Sequence, residues 1–343
     1  MILLYNISIN GNEGVLVMES PILFLVIPCY NEDDVLPLTL PRFDAVMCEL
    51  IAQKTISPDS RILFVNDGST DGTWKILSQW CAENELCEAI SLSRNCGHQR
   101  ALYAGIMEAR GRCDCIVTAD CDGQDDLSVI GQMLEKYRAG ADIVYGVRKA
   151  RHTDSCAKRA SAHLFYRIMR MLGAETVYDH ADFRLITARV ADALAEFDET
   201  DLYLRGIIPL IGFESAYVTY ERGKRLDGKS RYSFGRMLSL ALDAVTGFSV
   251  RPLRIISALG CLVSLLSFIG IIWTLIQYFF GNTAWGWSST LCILCFVSGV
   301  QLISLGVVGE YVGRIYTEVK RRPRYIVAKR TRDDQKRNDS VSH

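Results

Sequence analysis

The chain has 343 residues, which is enough for about two domains, or for one domain with an appendage. Its 38 lysine and arginine residues are balanced by 39 aspartate and glutamate residues, so a nucleic-acid partner is not expected. Hydrophobic residues make up 49% of the chain, and they include two long uncharged runs near its C-terminus.

From Ile22 onward, the first half of the chain alternates short apolar runs with amphipathic stretches, after a leader of about 20 residues that we expect to be loose. The apolar runs predict five strands, at 22–27, 61–65, 89–92, 115–118 and 142–147. Stretches with helical spacing follow the first four. This alternation predicts an α/β fold, in which right-handed crossovers build a mainly parallel sheet covered on both faces.

Polar side chains gather where the predicted strands end. Because ligands bind at the carboxyl ends of strands in open α/β sheets, these ends predict one functional rim. The residues expected along it are Glu32, Asp67, Asp71, Arg94, Asp120, Asp122 and Arg148.

The pair Asp120 and Asp122 directly follows the strand predicted at 115–118. Two carboxylates one residue apart suit a hard cation such as Mg²⁺ or Mn²⁺, which shares its ligand shell with substrate phosphates. A polar turn with an aspartate N-cap explains the same pair. The chain has neither a G-x-G-x-x-G nor a P-loop motif, so an anionic nucleotide at this acidic rim would need a divalent cation.

The two uncharged runs, 255–280 and 285–309, each exceed the roughly 20 residues that a membrane-spanning helix needs. Arginines precede the first run and follow the second, which marks both ends as cytoplasmic. We therefore expect a two-helix transmembrane hairpin over 255–314. We therefore predict a multi-pass protein of the cytoplasmic (inner) membrane, with its domain of residues 21–232 in the cytoplasm.

The segments that flank the hairpin also have expected roles. Residues 233–254 have the pattern of an amphipathic helix in the membrane interface, although a core-facing helix has the same pattern. Residues 315–343 are expected to form a basic cytoplasmic tail with a disordered end. Small residues in the hairpin offer faces on which copies of the chain can pack as a homo-oligomer: Gly260, Gly270, Gly299, Gly306 and Gly309.

Seven sequence blocks carry a resemblance to a known family. They are PCYNE at 28–32, VNDGSTD at 65–71, SRNCGHQ at 93–99, DCDGQD at 120–125, ADFRL at 181–185, RLDGKSRY at 225–232 and GEYVGRIY at 309–316. With these seven blocks in this order, the chain resembles the family-2 nucleotide-sugar glycosyltransferases. Within that family it is similar to the polyprenyl-phosphate branch, which includes bactoprenol glucosyltransferases and dolichol-phosphate mannose synthases. The resemblance implies a GT-A-type nucleotide-sugar-binding domain.

The resemblance also implies roles for residues of this chain. The base and ribose of the donor would be cradled by Pro28, Tyr30 and Glu32, with Asp67 hydrogen-bonded to the uracil. The metal, Mg²⁺ or Mn²⁺, would be held by Asp120, Asp122 and Gln124. Further donor contacts would come from Arg148, and from a closing loop that contains Arg225, Ser230 and Arg231. The expected catalytic residues are Asp122, Asp182 and Arg184, of which the last two would face the sugar or the acceptor phosphate.

The activity implied by the resemblance is inverting, metal-dependent transfer of a hexose, foremost glucose from UDP-glucose, to undecaprenyl phosphate at the cytoplasmic membrane face. Such an acceptor is largely ionised at neutral pH, so a general base is optional, whereas arginines are needed to attract it. The candidates are Arg148, Arg184 and Arg225. Asp182 either positions the substrate or takes up a proton.

Other functions stay open at this point. The sugar could instead be mannose, an N-acetylhexosamine or an aminoarabinose derivative. A catalytically silent, membrane-anchored protein that binds nucleotide sugar or scaffolds other enzymes is the alternative from another class. A processive synthase is disfavoured because the chain has no Q-x-x-R-W motif. A downstream flippase or a second glycosyltransferase is a further candidate partner.

Overall fold

The computed structural model describes residues 20–148, 180–199, 203–221, 251–280 and 286–332. The chain divides into two compact units, of which the first contains residues 1–153, 177–230 and 323–343 and the second contains residues 154–176 and 231–322. Several sequence predictions lie outside the described residues. They are the leader through residue 19, most of the interfacial helix, the loop of the hairpin, the chain end from Asp333, and Arg225, Ser230 and Arg231.

The first unit is built on an eight-stranded sheet with the strand order β7-β5-β6-β4-β1-β2-β3-β8. Its strands are β1 (Leu23–Cys29), β2 (Arg61–Asn66), β3 (Cys87–Leu92), β4 (Cys115–Thr118), β5 (Ile143–Arg148), β6 (His180–Thr187), β7 (Ser215–Tyr220) and β8 (Val327–Arg330). Its described α-helices are α1 (Leu36–Ala52), α2 (Thr73–Glu83), α3 (His98–Ala109), α4 (Ile130–Arg138), α5 (Ala188–Ala195) and α6 (Leu204–Leu210).

Most of the sheet is parallel, as the sequence predicts. The central strands β4, β1, β2 and β3 pair in parallel, and β5 pairs in parallel with β7. Two strands run the other way, because β6 is antiparallel to both β4 and β5, and β8 is antiparallel to β3. All residues of β1 and β4 are buried, which explains their continuous apolar runs.

Helix α3 packs closely against the centre of the sheet. Gly105 lies in this helix, and a Cβ atom at its position would collide with the side chains of Val26 in β1 and Val65 in β2. A glycine therefore sets how near the helix approaches the strands. This close packing positions the N-terminus of α3, with His98 and Gln99, at the carboxyl end of the strands.

The five strands predicted from the sequence are present, with bounds that differ by a few residues at most. One difference concerns the stretch after β4, where the helical spacing over 127–137 predicts a single helix. A short 3₁₀ helix, Leu127–Val129, precedes α4 there, and Asp126 caps it by accepting a hydrogen bond of 3.1 Å from the backbone N–H of Ser128. Strands β6, β7 and β8 are additions that the sequence pattern did not predict. Residues 327–330, which the sequence assigns to the tail, form β8.

The antiparallel strand β6 determines what lies beside the end of β4. Its register pairs Arg184 with Thr118, the last residue of β4. The hydroxyl of Thr118 donates hydrogen bonds to the backbone carbonyls of Asp182 and Arg184, which fixes the start of β6. Asp182 is thus placed next to the turn that contains Asp120.

The described part of the second unit consists of two long helices, α7 (Arg251–Phe279) and α8 (Trp287–Val319). By length and composition, one described segment is suited to cross a membrane, the 24 residues Phe296–Val319 of α8. In α7, the apolar stretch Ile256–Gly270 is shorter than such a span. The prediction of two spans, 255–280 and 285–309, is therefore supported for one helix, and a multi-pass topology is not established.

Candidate functional site

The polar side chains of the turn after β4 differ in exposure: some lie at the surface and others are buried. Asp122 Oδ1 accepts a hydrogen bond of 3.1 Å from the backbone N–H of Gln124, around a Gly123 whose φ of 65° favours glycine. The side chain of Asp120 is 28% exposed, whereas Gln124 is buried. Two carboxylates and one buried amide therefore belong to one turn of five residues, 120–124.

The buried carboxylate of Asp125 attaches this turn to the neighbouring strands. It accepts hydrogen bonds from the hydroxyl of Tyr220 in β7 and, at 3.4 Å, from the backbone N–H of Asp120. The guanidinium of Arg148, at the end of β5, lies 3.7 Å from Asp125 and donates to the Tyr220 hydroxyl. Arg148 thus faces the site, but much of its charge is balanced by Asp125.

Asp182 is the centre of a dense group of hydrogen-bond donors. Its Oδ1 accepts from Nη2 of Arg184 at 2.6 Å and from Nε of Arg205 at 3.1 Å. Its Oδ2 accepts from Nη2 of Arg205 at 2.9 Å, and lies 3.1 Å from Nε2 of His98 and 3.2 Å from Nε2 of Gln99. Burial acts to raise the pKa of Asp182, but these bonds outweigh it and hold that pKa well below its usual range.

His98 connects the Asp182 group to the turn after β4. Its Nε2 lies 3.1 Å from Asp182 and 3.7 Å from Asp120. Burial opposes the charged imidazolium, but the hydrogen bond with Asp182 and the charge of Asp120 prevail and raise the pKa of His98. An acidic half of the site and a cationic half therefore meet at this histidine.

Burial is the main reason that the pKa of Asp120 rises to about 6. The charge of His98 opposes this rise. The nearby carboxylates of Asp125, Asp182 and Asp122 add to it, because like charges disfavour ionisation. A divalent cation would relieve this repulsion, so the electrostatics of the turn favour one.

The loops after β1, β2 and β3 form the other part of the rim. Asp67 is buried and accepts hydrogen bonds of 2.7 and 2.9 Å from the backbone N–H groups of Cys96 and Gly97. Asn31 accepts a bond of 2.9 Å from the N–H of Thr70. Because these bonds hold the three loops together, the ring of Tyr30, 43% exposed, stands on a fixed support.

Comparison with known proteins identifies the family of this fold and site. Residues 24–194 match the family model described as glycosyl transferase family 2. A glycosyltransferase of Bacillus subtilis strain 168, YkoT, is 44% identical over 90% of this chain and 92% of its own length. The SfII prophage-derived bactoprenol glucosyl transferase of Shigella flexneri is 36% identical over 89% of this chain and 97% of its own length.

The chain belongs to glycosyl transferase family 2. It is a glycosyltransferase with a GT-A-like α/β fold. Residues 251–315 match a second family model, described as the GtrB C-terminal hairpin. A mannosyltransferase of Pyrobaculum calidifontis, solved with GDP-Man and Mn²⁺, covers 66% of this chain and 64% of its own, at 15% identity and a TM-score of 0.46. The sequence relatives establish the family without this structural match.

The residues that the sequence predicts as metal ligands have the chemistry of a site for a hard divalent cation. Oε1 of Gln124 is buried and has no hydrogen-bond partner among the described residues, so an acceptor atom is left over beside Asp120 and Asp122. Oxygen donors of this kind suit Mg²⁺ or Mn²⁺. In the part of the chain that the structure describes, no three His, Cys, Asp or Glu side chains are grouped to hold a metal. The predicted set has two carboxylates and takes its third oxygen from the amide of Gln124.

Besides His98 and Asp125, three residues of the site were missed by the sequence reasoning or given no main role in it. Arg205 in α6 binds Asp182, Gln99 bridges Asp182 and α6, and Tyr220 anchors Asp125. One signal pointed to Arg205, since it is the only charged residue in the apolar run 203–211. Arg184, in contrast, was predicted to face substrate, and its side chain is 1% exposed beneath Asp182.

Proposed function

We propose that this glycosyltransferase transfers glucose from UDP-glucose to a polyprenyl phosphate, with Mg²⁺ or Mn²⁺ held by Asp120, Asp122 and Gln124. The observation that carries this proposal is the position of His98, 3.7 Å from Asp120 and 3.1 Å from Asp182. One histidine separates an acidic group suited to a cation from a cationic group suited to a phosphate. A reaction between two anionic substrates requires both environments side by side.

The choice of substrates is supported by the relatives. The Shigella flexneri relative is named a bactoprenol glucosyl transferase, and the similarity covers almost its whole length. A prophage homologue in Escherichia coli K12 has the same kind of name and is 35% identical over 88% of this chain. Glucose as the sugar and bactoprenol phosphate as the acceptor are therefore the first substrates to test.

The donor side of the mechanism depends on the rim of the sheet. A divalent cation supplies Lewis-acid stabilisation to the departing diphosphate. Asp120 and Asp122 would hold that cation, while the exposed ring of Tyr30 offers a surface for the base. Pro28, Glu32, Asp67 and Arg148 stay as predicted donor contacts. Both oxygens of Asp67 already accept backbone bonds, so a uracil contact would have to share one of them.

The acceptor side needs no strong base. A phosphate monoester is largely ionised at neutral pH and is already a nucleophile. Asp182 has five donors on its two oxygens and a lowered pKa, which suits a residue that orients its neighbours rather than one that takes up a proton. In the proposed step, a phosphate oxygen forms a bond to the anomeric carbon as the bond to UDP breaks, with inversion.

The membrane provides the place of the reaction. The match of residues 251–315 to the GtrB C-terminal hairpin supports a two-helix hairpin in the cytoplasmic membrane, and Phe296–Val319 is suited to span it. Basic residues at both ends of the predicted hairpin favour a cytoplasmic catalytic domain. The closing loop with Arg225, Ser230 and Arg231, and homo-oligomer formation, stay predictions.

A transfer assay tests the proposal. The purified full-length protein in phospholipid nanodiscs is given labelled UDP-glucose, a short-chain polyprenyl phosphate, and Mg²⁺ or Mn²⁺. We expect a labelled glycolipid that forms with the cation and disappears when EDTA is present. Parallel reactions use GDP-mannose, a UDP-N-acetylhexosamine and a UDP-aminoarabinose derivative.

The outcomes separate the alternatives. Transfer from another donor only would replace glucose and keep the reaction. If no donor gives a labelled lipid while calorimetry still detects donor binding, the chain is a silent nucleotide-sugar-binding protein. Neither result would change the family assignment, which rests on sequence similarity.

A further inference from the structure

The direction of the Arg205 side chain is fixed by the packing of α6. Leu204, Ile207 and Ile208 of this helix are fully buried. At its start, the N–H of Leu204 donates a hydrogen bond of 3.1 Å to Oε1 of Gln99, whose Nε2 contacts Asp182. Gln99 thus contacts both α6 and Asp182, the carboxylate that Arg205 binds.

The guanidinium of Arg205 binds Asp182 along one edge and leaves another edge available. Its Nε and Nη2 make the two bonds to Asp182, at 3.1 and 2.9 Å. Its Nη1 makes no hydrogen bond to any residue that the structure describes. The Arg205 side chain is 44% exposed, whereas that of Asp182 is 4% exposed. A pre-oriented, exposed guanidinium edge matches the oxygens of a phosphate group.

The charges around Asp182 do not balance. Its single negative charge is shared by Arg184 and Arg205, and neither arginine has an ion pair with another carboxylate in the described chain. One positive charge is therefore in excess before His98 is counted. Because Arg184 is 1% exposed and Arg205 is 44% exposed, Arg205 is the arginine of this pair that a ligand can contact.

Two other arginines of the first unit are each balanced by a carboxylate. Arg148 has a buried partner in Asp125, and Arg110 has its own partner in Asp192, at 2.6 Å. Arg110 resembles Arg205 in exposure, with 45% of its side chain accessible. It is one of two ions in a balanced pair, so Arg110 is a suitable control.

The position of Arg205 distinguishes the two anions of the reaction. His98 reaches both Asp120 and Asp182, whereas Arg205 bonds to Asp182 alone. Arg205 therefore lies beside the carboxylates predicted to hold the cation of the donor diphosphate, without being paired to them. A second anion, the phosphate monoester of the acceptor, suits this position.

We propose that Arg205 binds the phosphate monoester of the acceptor through its exposed guanidinium edge, and that Asp182 orients it for this contact. The inference deepens the proposed function and rests on it for the identity of the acceptor. The shared chemistry is a phosphate monoester dianion, which a lipid head group or free phosphate can supply.

The test measures binding without turnover. Calorimetry on the full-length protein in nanodiscs compares citronellyl phosphate, inorganic phosphate and UDP-glucose with Mn²⁺. For Arg205→Ala, we expect a loss of about tenfold to a hundredfold in affinity for citronellyl phosphate, and a change below about twofold for UDP-glucose. Arg205→Lys should lose less affinity, because lysine keeps the positive charge but lacks the paired N–H donors of the planar guanidinium. Arg110→Ala should bind all three ligands as the unmodified protein does.

The test stays informative if Arg205→Ala unfolds, because Arg205→Lys and Arg205→Gln test the same contact. Thermal melting of each variant reports whether it is folded. Weaker binding of inorganic phosphate in parallel with the lipid analogue supports a phosphate site, and weaker binding of the lipid analogue alone supports a lipid-specific one. Unchanged affinity for citronellyl phosphate in the Arg205 variants, or a loss confined to UDP-glucose, overturns the inference. So does the absence of citronellyl phosphate binding to the unmodified protein.

The transfer assay separates this inference from the proposed function. If the unmodified protein binds citronellyl phosphate through Arg205 but transfers no sugar, the proposed function fails and the phosphate site stands. If transfer occurs, Arg205→Ala should raise the KM for the acceptor and leave the KM for UDP-glucose unchanged. An acceptor KM that is the same in Arg205→Ala and Arg110→Ala overturns the inference and leaves the proposed function intact.

Discussion

The hydroxyl of Tyr220 donates a hydrogen bond of 2.6 Å to Oδ1 of Asp125, although the two residues are 95 positions apart. This bond connects the edge strand β7 to the turn that presents Asp120 and Asp122. Both side chains are buried, and the ring of Tyr220 packs edge-on against Phe183 of β6. The turn of the predicted metal site is thus held by a distant part of the fold.

Replacing Tyr220 by phenylalanine should lower the free energy of unfolding by about 1–3 kcal/mol, because it leaves the buried Asp125 with one donor fewer. Chemical denaturation monitored by circular dichroism measures the change. Tyr217→Phe is the matched control on the same strand, since the Tyr217 side chain is 54% exposed, and it should cost less than about 0.5 kcal/mol. Equal losses in the two variants would contradict the role given to the bond.

Asp122→Asn should reduce transfer by at least about a hundredfold and weaken Mn²⁺ binding, because it removes a charge from the predicted cation site while preserving shape. Calorimetry measures Mn²⁺ affinity, and the labelled-lipid assay measures transfer. Asp126→Asn is the control, because Asp126 lies in the same stretch but caps the 3₁₀ helix through Ser128. Wild-type metal affinity in Asp122→Asn would remove this residue from the metal site.

How far the site could be predicted depends on which strand carries each residue. Asp120, Asp122 and Glu32 follow parallel strands with buried apolar runs, so the local pattern alone places them on the rim. Asp182 belongs to β6, which enters between β4 and β5 in the opposite direction, and only the family resemblance indicated its role. Arg205 and Tyr220 reach the site through tertiary packing, which no local periodicity encodes.

The pairing of β8 with β3 is a second contact that local periodicity does not encode, and it joins residues still farther apart in the sequence. Thr331 and Ala89 exchange two backbone-to-side-chain hydrogen bonds across 242 positions, at 3.0 and 3.3 Å. The whole second unit lies between these two residues in the sequence. Local composition therefore could not reveal the pairing, and it predicted a tail over residues 315–343. The guanidinium of Arg324, in the predicted basic tail, contacts the carbonyls of Phe197 and Glu199 and the Tyr103 hydroxyl.

Thr331→Val should therefore lower stability by about 1–3 kcal/mol, because the N–H of Ala89 is left buried without its acceptor. Hydrogen exchange measured by mass spectrometry should be faster in Cys87–Leu92 than in the unmodified protein. Lys329→Ala, a change at an exposed position of β8, is the control and should leave exchange in Cys87–Leu92 unchanged. Unaltered exchange in Thr331→Val would mean that the bond to Ala89 does not hold β8.

The carboxylate of Asp182 should make stability depend on pH in acid. Its pKa in the folded protein lies well below the ordinary 3.8, because His98, Arg184 and Arg205 favour the charged form over the effect of burial. The unfolded chain therefore binds a proton first as the pH falls. The stabilisation due to Asp182 is complete above the unfolded pKa and is lost below it, toward the folded pKa.

The comparison that isolates this effect uses Asp182→Asn in a His98→Gln background, since Asp182 and Asp120 also raise the pKa of His98. Removing the carboxylate leaves two guanidinium groups unpaired, so the variant should be less stable by about 3–5 kcal/mol at pH 7. The difference between the two proteins should shrink as the pH falls below about 4. A difference that shrinks between pH 7 and 5 instead would show that Asp182 titrates near neutrality and can act as a base.

Two glycines in helices should respond in opposite directions to the same substitution. Gly105→Ala in α3 places a Cβ atom against Val26 and Val65, so the helix must move away from the sheet. Gly131→Ala in α4 meets nothing within 4 Å. The second change should stabilise the protein by up to about 1 kcal/mol through helix propensity, while the first should destabilise it by about 1–3 kcal/mol.

Displacement of α3 also reaches the site, because this helix begins with His98 and Gln99. Gly105→Ala should therefore lower the rate of transfer more than its loss of stability explains, when both variants are assayed well below their melting temperatures. Gly131→Ala provides the comparison at equal temperature and should transfer at the unmodified rate. Full activity in a destabilised Gly105→Ala would mean that the N-terminus of α3 keeps its position when the helix is pushed outward, and that the contacts of His98 and Gln99 with Asp182 hold it there.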